Sequence, residues 1–160
     1  MLRAAEGRES LMSHAYVSNL MHCTFSTKGR YPFIESELEL RLWPYLGGIA
    51  RQNRMKALAI GGTVDHLHAL LSLPGRMSFA KAVQLIKGGT SKWVHDTFPR
   101  LQRFAWQEGY GAFSVSASQV PKTIAYIENQ KEHHQKKTFR EELLELVQRH
   151  GIEYDPRYIL

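Results

Sequence analysis

Two histidines one residue apart, His66 and His68, run into Ala69-Leu70-Leu71-Ser72-Leu73 and are the first residues here whose type and spacing suit chemistry. In a strand, the period of two puts both imidazoles on one face and Leu67, Ala69, Leu71 and Leu73 on the other. Neutral imidazoles side by side on a strand make a rigid mount for a divalent metal ion. Alone the pair says little. Eight histidines in 160 residues give roughly 0.4 His-x-His pairs by chance, and two half-buried histidines exchanging hydrogen bonds would look the same. A second group adds weight. In Ile124-Ala125-Tyr126-Ile127-Glu128-Asn129-Gln130, a helical turn of about 100° per residue makes Val120, Ile124 and Ile127 an apolar stripe. Tyr126 and Gln130 lie together to one side of it, so a phenol and an amide oxygen address one point. Together the two groups describe a reaction. His66, His68 and the Gln130 oxygen could hold Mg²⁺ or Mn²⁺ with positions open for phosphate oxygens, while Tyr126 supplies the nucleophile. A phosphodiester attacked in this way is held on the tyrosine and can be rejoined without ATP. The sequence has no Gly-rich phosphate loop ending in Lys-Ser or Lys-Thr. Asn129, adjacent to Gln130, and His133, near the same face, remain open as contributors, and His133-His134 reads as a solvated helix end.

Those residues need a sheet and a helix to carry them. Val17 to Thr27 is rich in β-formers and meets a turn at Lys28-Gly29-Arg30-Tyr31-Pro32. Glu35 to Asn53 carries Leu38, Leu42, Leu46 and Ile49 at helical spacing, with Ser36 as the expected cap and Pro44 inside. Met55 to Val64 and His66 to Leu73 read as an antiparallel pair. Ser78 is placed to cap a helix bearing Phe79, Val83, Ile86, Thr90 and Val94, in which Gly88-Gly89 marks either a break or a close backbone approach. Phe104 to Ser116 reads as a strand, Ser118 to Lys137 as one helix, and Glu141 to His150 as a last helix stopped by Gly151. The order β-α-β-β-α-β-α predicts an α+β fold of the split β-α-β, ferredoxin-like or RRM-like type. Its antiparallel sheet has helices on one face and a C-terminal tyrosine-bearing helix.

Composition narrows the class. With 160 residues and 43% hydrophobic content, one domain is expected over residues 13–160, preceded by a loose polar extension over residues 1–12, with Met12 a second candidate start. The net charge of +6 favours a polyanionic partner. Lys28, Arg30, Lys81, Lys87, Lys92, Arg100 and Arg103 could line a nucleic-acid path, although each alone reads as an ordinary surface charge. The single cysteine, Cys23, excludes an internal disulfide and a multi-cysteine zinc site. The absence of an apolar run near the roughly 18 residues of a membrane span leads to the expectation of a cytoplasmic protein with no membrane partner, nucleoid-associated when bound to DNA.

Five segments resemble a known family: HCTFSTKGRYP (22–32), GGTVDHLHALLSLP (61–74), IKGGTSKW (86–93), WQEGYGAFSVS (106–116) and YIENQKEHH (126–134). The chain is similar to the single-tyrosine HUH transposases of bacterial insertion sequences that move as single-stranded DNA, together with their domesticated relatives acting on repetitive palindromes. The resemblance implies His66 and His68 as metal ligands, Tyr126 as nucleophile and Gln130 as third ligand. It also implies a homodimer whose tyrosine helix can complete the partner's site, hairpin-bearing single-stranded DNA as substrate, and a 5′-phosphotyrosine intermediate. The alternative is a noncatalytic nucleic-acid-binding module on the same sheet.

Overall fold

The computed structural model describes residues 15–159, so the extension expected over residues 1–12 lies outside the described residues. Four strands, β1 (Leu20–Ser26), β2 (Lys56–Gly62), β3 (His66–Ser72) and β4 (Gly111–Ser114), form one sheet in the order β2-β3-β1-β4. Every neighbouring pair is antiparallel. With α1 (Ser36–Gln52) after β1 and α2 (Phe79–Thr97) after β3, this is the expected split β-α-β arrangement.

Alternation along the strands divides the sheet into a dry face and a chemical face. Met21, Cys23 and Phe25 of β1 and Leu67, Ala69 and Leu71 of β3 are fully buried in one cluster with Leu38, Leu42 and Leu46 of α1 and Val83 and Ile86 of α2. Each such aliphatic side chain contributes roughly 1.5–3 kcal/mol by leaving water. The other parity presents His22, Thr24 and Ser26 beside His66 and His68, in a register that pairs Thr24 with His68 and Ser26 with His66. Three C-terminal helices, α3 (Val120–Glu128), α4 (Gln130–His133) and α5 (Phe139–Arg149), cover this second face.

Two glycines allow the close approaches this stacking needs. A Cβ on Gly89 would stand 2.7 Å from Ile49 Cδ1, so α2 runs unbroken through Gly88-Gly89 and lies hard against α1. A Cβ on Gly61 would collide with the Ile127 backbone carbonyl, which rests on β2 at the end of α3. Gly61→Ala is therefore expected to push the tyrosine helix off the sheet. Displacements of this kind cost about 1–3 kcal/mol of stability. Denaturant unfolding reads the stability loss, and a variant as stable as the wild type would contradict the packing argument.

Several local expectations change. The helix expected from Ser118 to Lys137 is interrupted at Asn129 (φ −100, ψ 23). The Gln130 side-chain amide reaches back to the Tyr126 carbonyl at 3.4 Å there. The strand expected over Phe104 to Ser116 shrinks to Gly111–Ser114, because Phe104 and Trp106 turn into the core and Trp106 Nε1 donates to Thr90 Oγ1 at 2.9 Å. Lys87 does not face an open groove. Its Nζ donates to the Gln107 and Gly109 carbonyls, both at 2.7 Å, and pins the loop ahead of β4. Lys92 pairs with Asp96 and Arg100 with Glu37 on the surface. Ser36 is the first residue of α1 and Glu35 occupies the cap position. Ser78 does cap α2, its Oγ accepting from Lys81 N at 3.0 Å. Among the described residues no helix is long and apolar enough to cross a membrane.

Candidate active site

His66 and His68 stand side by side in the middle of the covered face, both fully buried. Gln130 is also buried, at the start of α4, and its Oε1 lies 3.0 Å from His66 Nε2. Tyr126, half-buried on α3, packs its ring against His68 with centroids 5.6 Å apart. The four residues singled out from spacing thus meet at one place. The element that joins them was not foreseen. Glu142, on α5 and 3% exposed, sends its carboxylate into their midst. Its Oε1 accepts from His68 Nε2 at 2.7 Å and His134 Nε2 at 3.1 Å and lies 3.7 Å from His66 Nε2. Its Oε2 accepts from Gln130 Nε2 at 3.2 Å and from the Tyr126 hydroxyl.

Outer partners orient both histidines. Asp65 Oδ1 lies 2.8 Å from His66 Nδ1 and also accepts from Thr63 Oγ1 at 3.1 Å, so Nδ1 is the protonated nitrogen and Nε2 faces inward. His22 Nε2 lies 2.8 Å from His68 Nδ1, one ring donating to the other. His22 is 4% exposed and belongs to the site as surely as the expected pair does. His134, read from the sequence as part of a solvated helix end, is corrected by the same geometry. Its side chain is 11% exposed and turned onto Glu142. His133, one residue earlier, instead lies against the Tyr126 ring with centroids 4.8 Å apart.

The electrostatics follow from burial and these contacts. Burial pushes the Glu142 carboxyl up, but hydrogen bonds from His134, His68 and Tyr126 outweigh it and hold the group ionised, well below the carboxylate range. Burial drives His68 down to about 4 against the pull of Glu142. Burial and the neighbouring His68 drive His22 down to about 3. Burial, then the adjacent Glu142 carboxylate, raise the Tyr126 phenol well above its usual range. At neutral pH the buried carboxylate is therefore ionised beside the neutral imidazoles of His68 and His22 and the neutral phenol of Tyr126.

A pH dependence of stability follows for the metal-free chain. Unfolded, His22 and His68 take up a proton near their usual 6.5, whereas folded they resist until about 3 and about 4. Between those values the unfolded state binds more protons, so stability is full above about pH 6.5 and falls as the pH drops. The loss should reach on the order of 3–5 kcal/mol for the pair by about pH 4.5. Glu142, with its depressed value, keeps its contribution until more acid conditions, so the early loss belongs to the histidines. Denaturant midpoints measured in EDTA at several pH values check this, and a flat profile down to pH 5 would contradict it.

The donor set fits a divalent cation. His66, His68, His134 and Glu142 each offer a ligand atom, and all four atoms lie within 4.8 Å of one another. Gln130 adds a further oxygen. Its amide nitrogen is committed to Glu142 and the Tyr126 carbonyl, so its oxygen faces His66 Nε2, itself an acceptor once Nδ1 carries the proton. A pair of inward-facing acceptors 3.0 Å apart suits a cation placed between them. The mixture of nitrogen and oxygen donors is one that divalent first-row ions accept.

Known proteins share this chain's sequence and fold. Residues 15–130 match the family model described as transposase IS200 like. The chain is 25% identical over 131 residues to the transposase for insertion sequence element IS200 of Salmonella typhimurium, spanning 79% of this chain and 86% of that one. The Salmonella typhi transposase of the same element is equally similar. A candidate transposase from Deinococcus radiodurans, known from its crystal structure, superposes with a TM-score of 0.62 at 25% identity, covering 74% of this chain and 95% of that chain. A REP-associated tyrosine transposase bound to a REP hairpin shares the fold, with a TM-score of 0.54 at 17% identity over 72% of this chain and 68% of that one.

Proposed function

Because the chain belongs to the IS200-like transposase family, and is thereby a DNA-processing enzyme, we propose that it cleaves and rejoins single-stranded DNA by forming a 5′-phosphotyrosine at Tyr126. The observation that carries this reading is the convergence of the Tyr126 hydroxyl, Gln130 and three imidazoles on the buried Glu142 carboxylate. A tyrosine placed there for packing alone would not need its hydroxyl aimed at the donor cluster.

In this reading His66, His68 and Gln130 hold Mg²⁺ or Mn²⁺, with Glu142 and His134 as neighbouring donors. The ion, when bound, polarises the scissile phosphate and offsets the charge that builds on its oxygens. The remaining work falls to side chains. Glu142 Oε2 orients the Tyr126 hydroxyl and takes its proton as Oη attacks phosphorus. The P–O3′ bond breaks and O3′ takes the proton from Glu142, leaving a free 3′-hydroxyl on one strand and the 5′-phosphate on the tyrosine. Attack by a second 3′-hydroxyl reverses the step, joins the new strand and returns the proton to Tyr126. Asp65 and His22 keep the two inner nitrogens aimed throughout. The contact between Ile127 and Gly61 supports a tyrosine acting on its own chain's site. Homodimerisation, with exchange of the tyrosine helix between protomers, remains part of the proposal. So does recognition of hairpin-bearing single strands, which the hairpin-bound relative supports.

The test is incubation with Mn²⁺ and labelled single strands carrying the palindromes that flank the reading frame. A denaturation-resistant protein–DNA adduct that vanishes in EDTA is expected. DNA binding without adduct across all such ends would favour the noncatalytic module instead.

A further inference from the structure

Beside the tyrosine lies a recess of about 560 Å³ that the chemistry above does not use. Tyr126 and the buried His22 form part of its wall, and Lys122 and Arg149, both exposed, also line it. No carboxylate is among its lining residues. Within it the His150 imidazole is stacked on Phe113, with ring centroids 4.6 Å apart and planes 27° from parallel, and its Nδ1 is bonded to the Leu146 carbonyl at 2.8 Å. A fixed aromatic surface beside two cations suits a nucleotide, whose base stacks and whose phosphate seeks positive charge. The volume lies within the range of sites that enclose small ligands, about 300–1,000 Å³.

A second groove, of about 510 Å³, carries Arg30, His134, Lys136 and Lys137 and shares no lining residue with the recess. The donor cluster therefore has Tyr126 toward one opening and His134 toward the other. In-line displacement places the attacking and departing oxygens on opposite sides of phosphorus. With Tyr126 attacking from the recess side, the strand ending in the free 3′-hydroxyl departs away from the recess. The nucleotide joined through its 5′-phosphate to Tyr126 stays behind.

We propose that the recess formed by Tyr126, His150, Lys122 and Arg149 is the seat of that retained nucleotide, binding the 5′-phosphorylated end of the strand that the tyrosine holds. The assignment rests on the phosphotyrosine reading for its polarity, and a binding experiment tests it without any cleavage. The full chain in Mg²⁺ is titrated with single-stranded tetradeoxynucleotides of each base, with and without a 5′-phosphate, while backbone and imidazole NMR signals are followed. The 5′-phosphorylated forms should bind more tightly and shift Thr123 and His150. Arg149→Gln combined with Lys122→Gln should weaken them about tenfold, whereas Lys136→Gln with Lys137→Gln should leave them within about twofold. Shifts confined to the Arg30 and His134 groove, equal binding without the 5′-phosphate, or an unaffected Arg149→Gln/Lys122→Gln variant would each overturn the proposal. A 5′-phosphate preference in a chain that forms no adduct would instead overturn the covalent chemistry and leave the recess as a 5′-phosphate site only. Adduct formation without that preference overturns the recess alone.

Discussion

Tyr126→Phe is expected to reduce covalent capture and strand joining to background, a loss of at least about 10⁴-fold, the scale seen when a nucleophile is removed. The substitution is surgical. The ring keeps its contacts with His22, His68 and His133, whose centroids lie 6.0, 5.6 and 4.8 Å from it. Only the hydroxyl bond to the ionised Glu142 is lost, which costs about 1.5–3 kcal/mol of stability. DNA binding and metal uptake should stay close to wild type. A metal-dependent nuclease that activates water would still cut in this variant, so persistent cleavage without adduct would replace the account with hydrolysis. Gel separation of labelled strands before and after protease treatment distinguishes the cases.

Glu142→Ala should produce the second-largest effect, and on two scales. The carboxylate is the common acceptor for His68, His134, Gln130 and Tyr126. Its loss strands buried donors, each worth about 1–3 kcal/mol when unsatisfied. A net loss of about 3 kcal/mol is expected after local relaxation, or roughly 6–12 °C in Tm for a chain of this size. Cleavage should fall by at least about 100-fold, because the tyrosine loses the group that orients it and accepts its proton. Glu142→Gln separates the two effects. The amide retains volume and one acceptor oxygen, so it should recover most of the stability and little of the activity. If Glu142→Gln joined strands at the wild-type rate, the carboxylate would be a packing element only. Thermal melts and single-turnover cleavage at saturating Mn²⁺ supply the readings.

The parts of this site that follow a local period were legible in the sequence, and the parts that depend on pairing were not. His66 and His68 share a strand face by a period of two, and Tyr126 and Gln130 share a helical side by an offset of four. Neither fact needs tertiary structure. His22 was invisible because only the β1–β3 register, with His22 opposite Leu70, brings it beside His68. Glu142 left a trace that went unread. It sits in the stripe formed by Phe139, Leu143, Leu146 and Val147, and a carboxylate on the apolar side of a helix signals a buried partner. The strand expected around Trp106 was lost because aromatic content marks β-structure and core alike, and the bond to Thr90 resolved it as core. Gly89 was legible only as a break or a close approach, and the packing of Ile49 decides for close approach.

If the phenol beside Glu142 takes up the DNA 5′-phosphate, the covalent bond can be located on it. The adduct formed in Mn²⁺ is digested with nuclease and protease, and the nucleotide-bearing peptide is sequenced by tandem mass spectrometry. A single modified peptide is expected, with the phosphate on Tyr126. A nucleotide on any other tyrosine, or cut strands with no modified peptide, would contradict it.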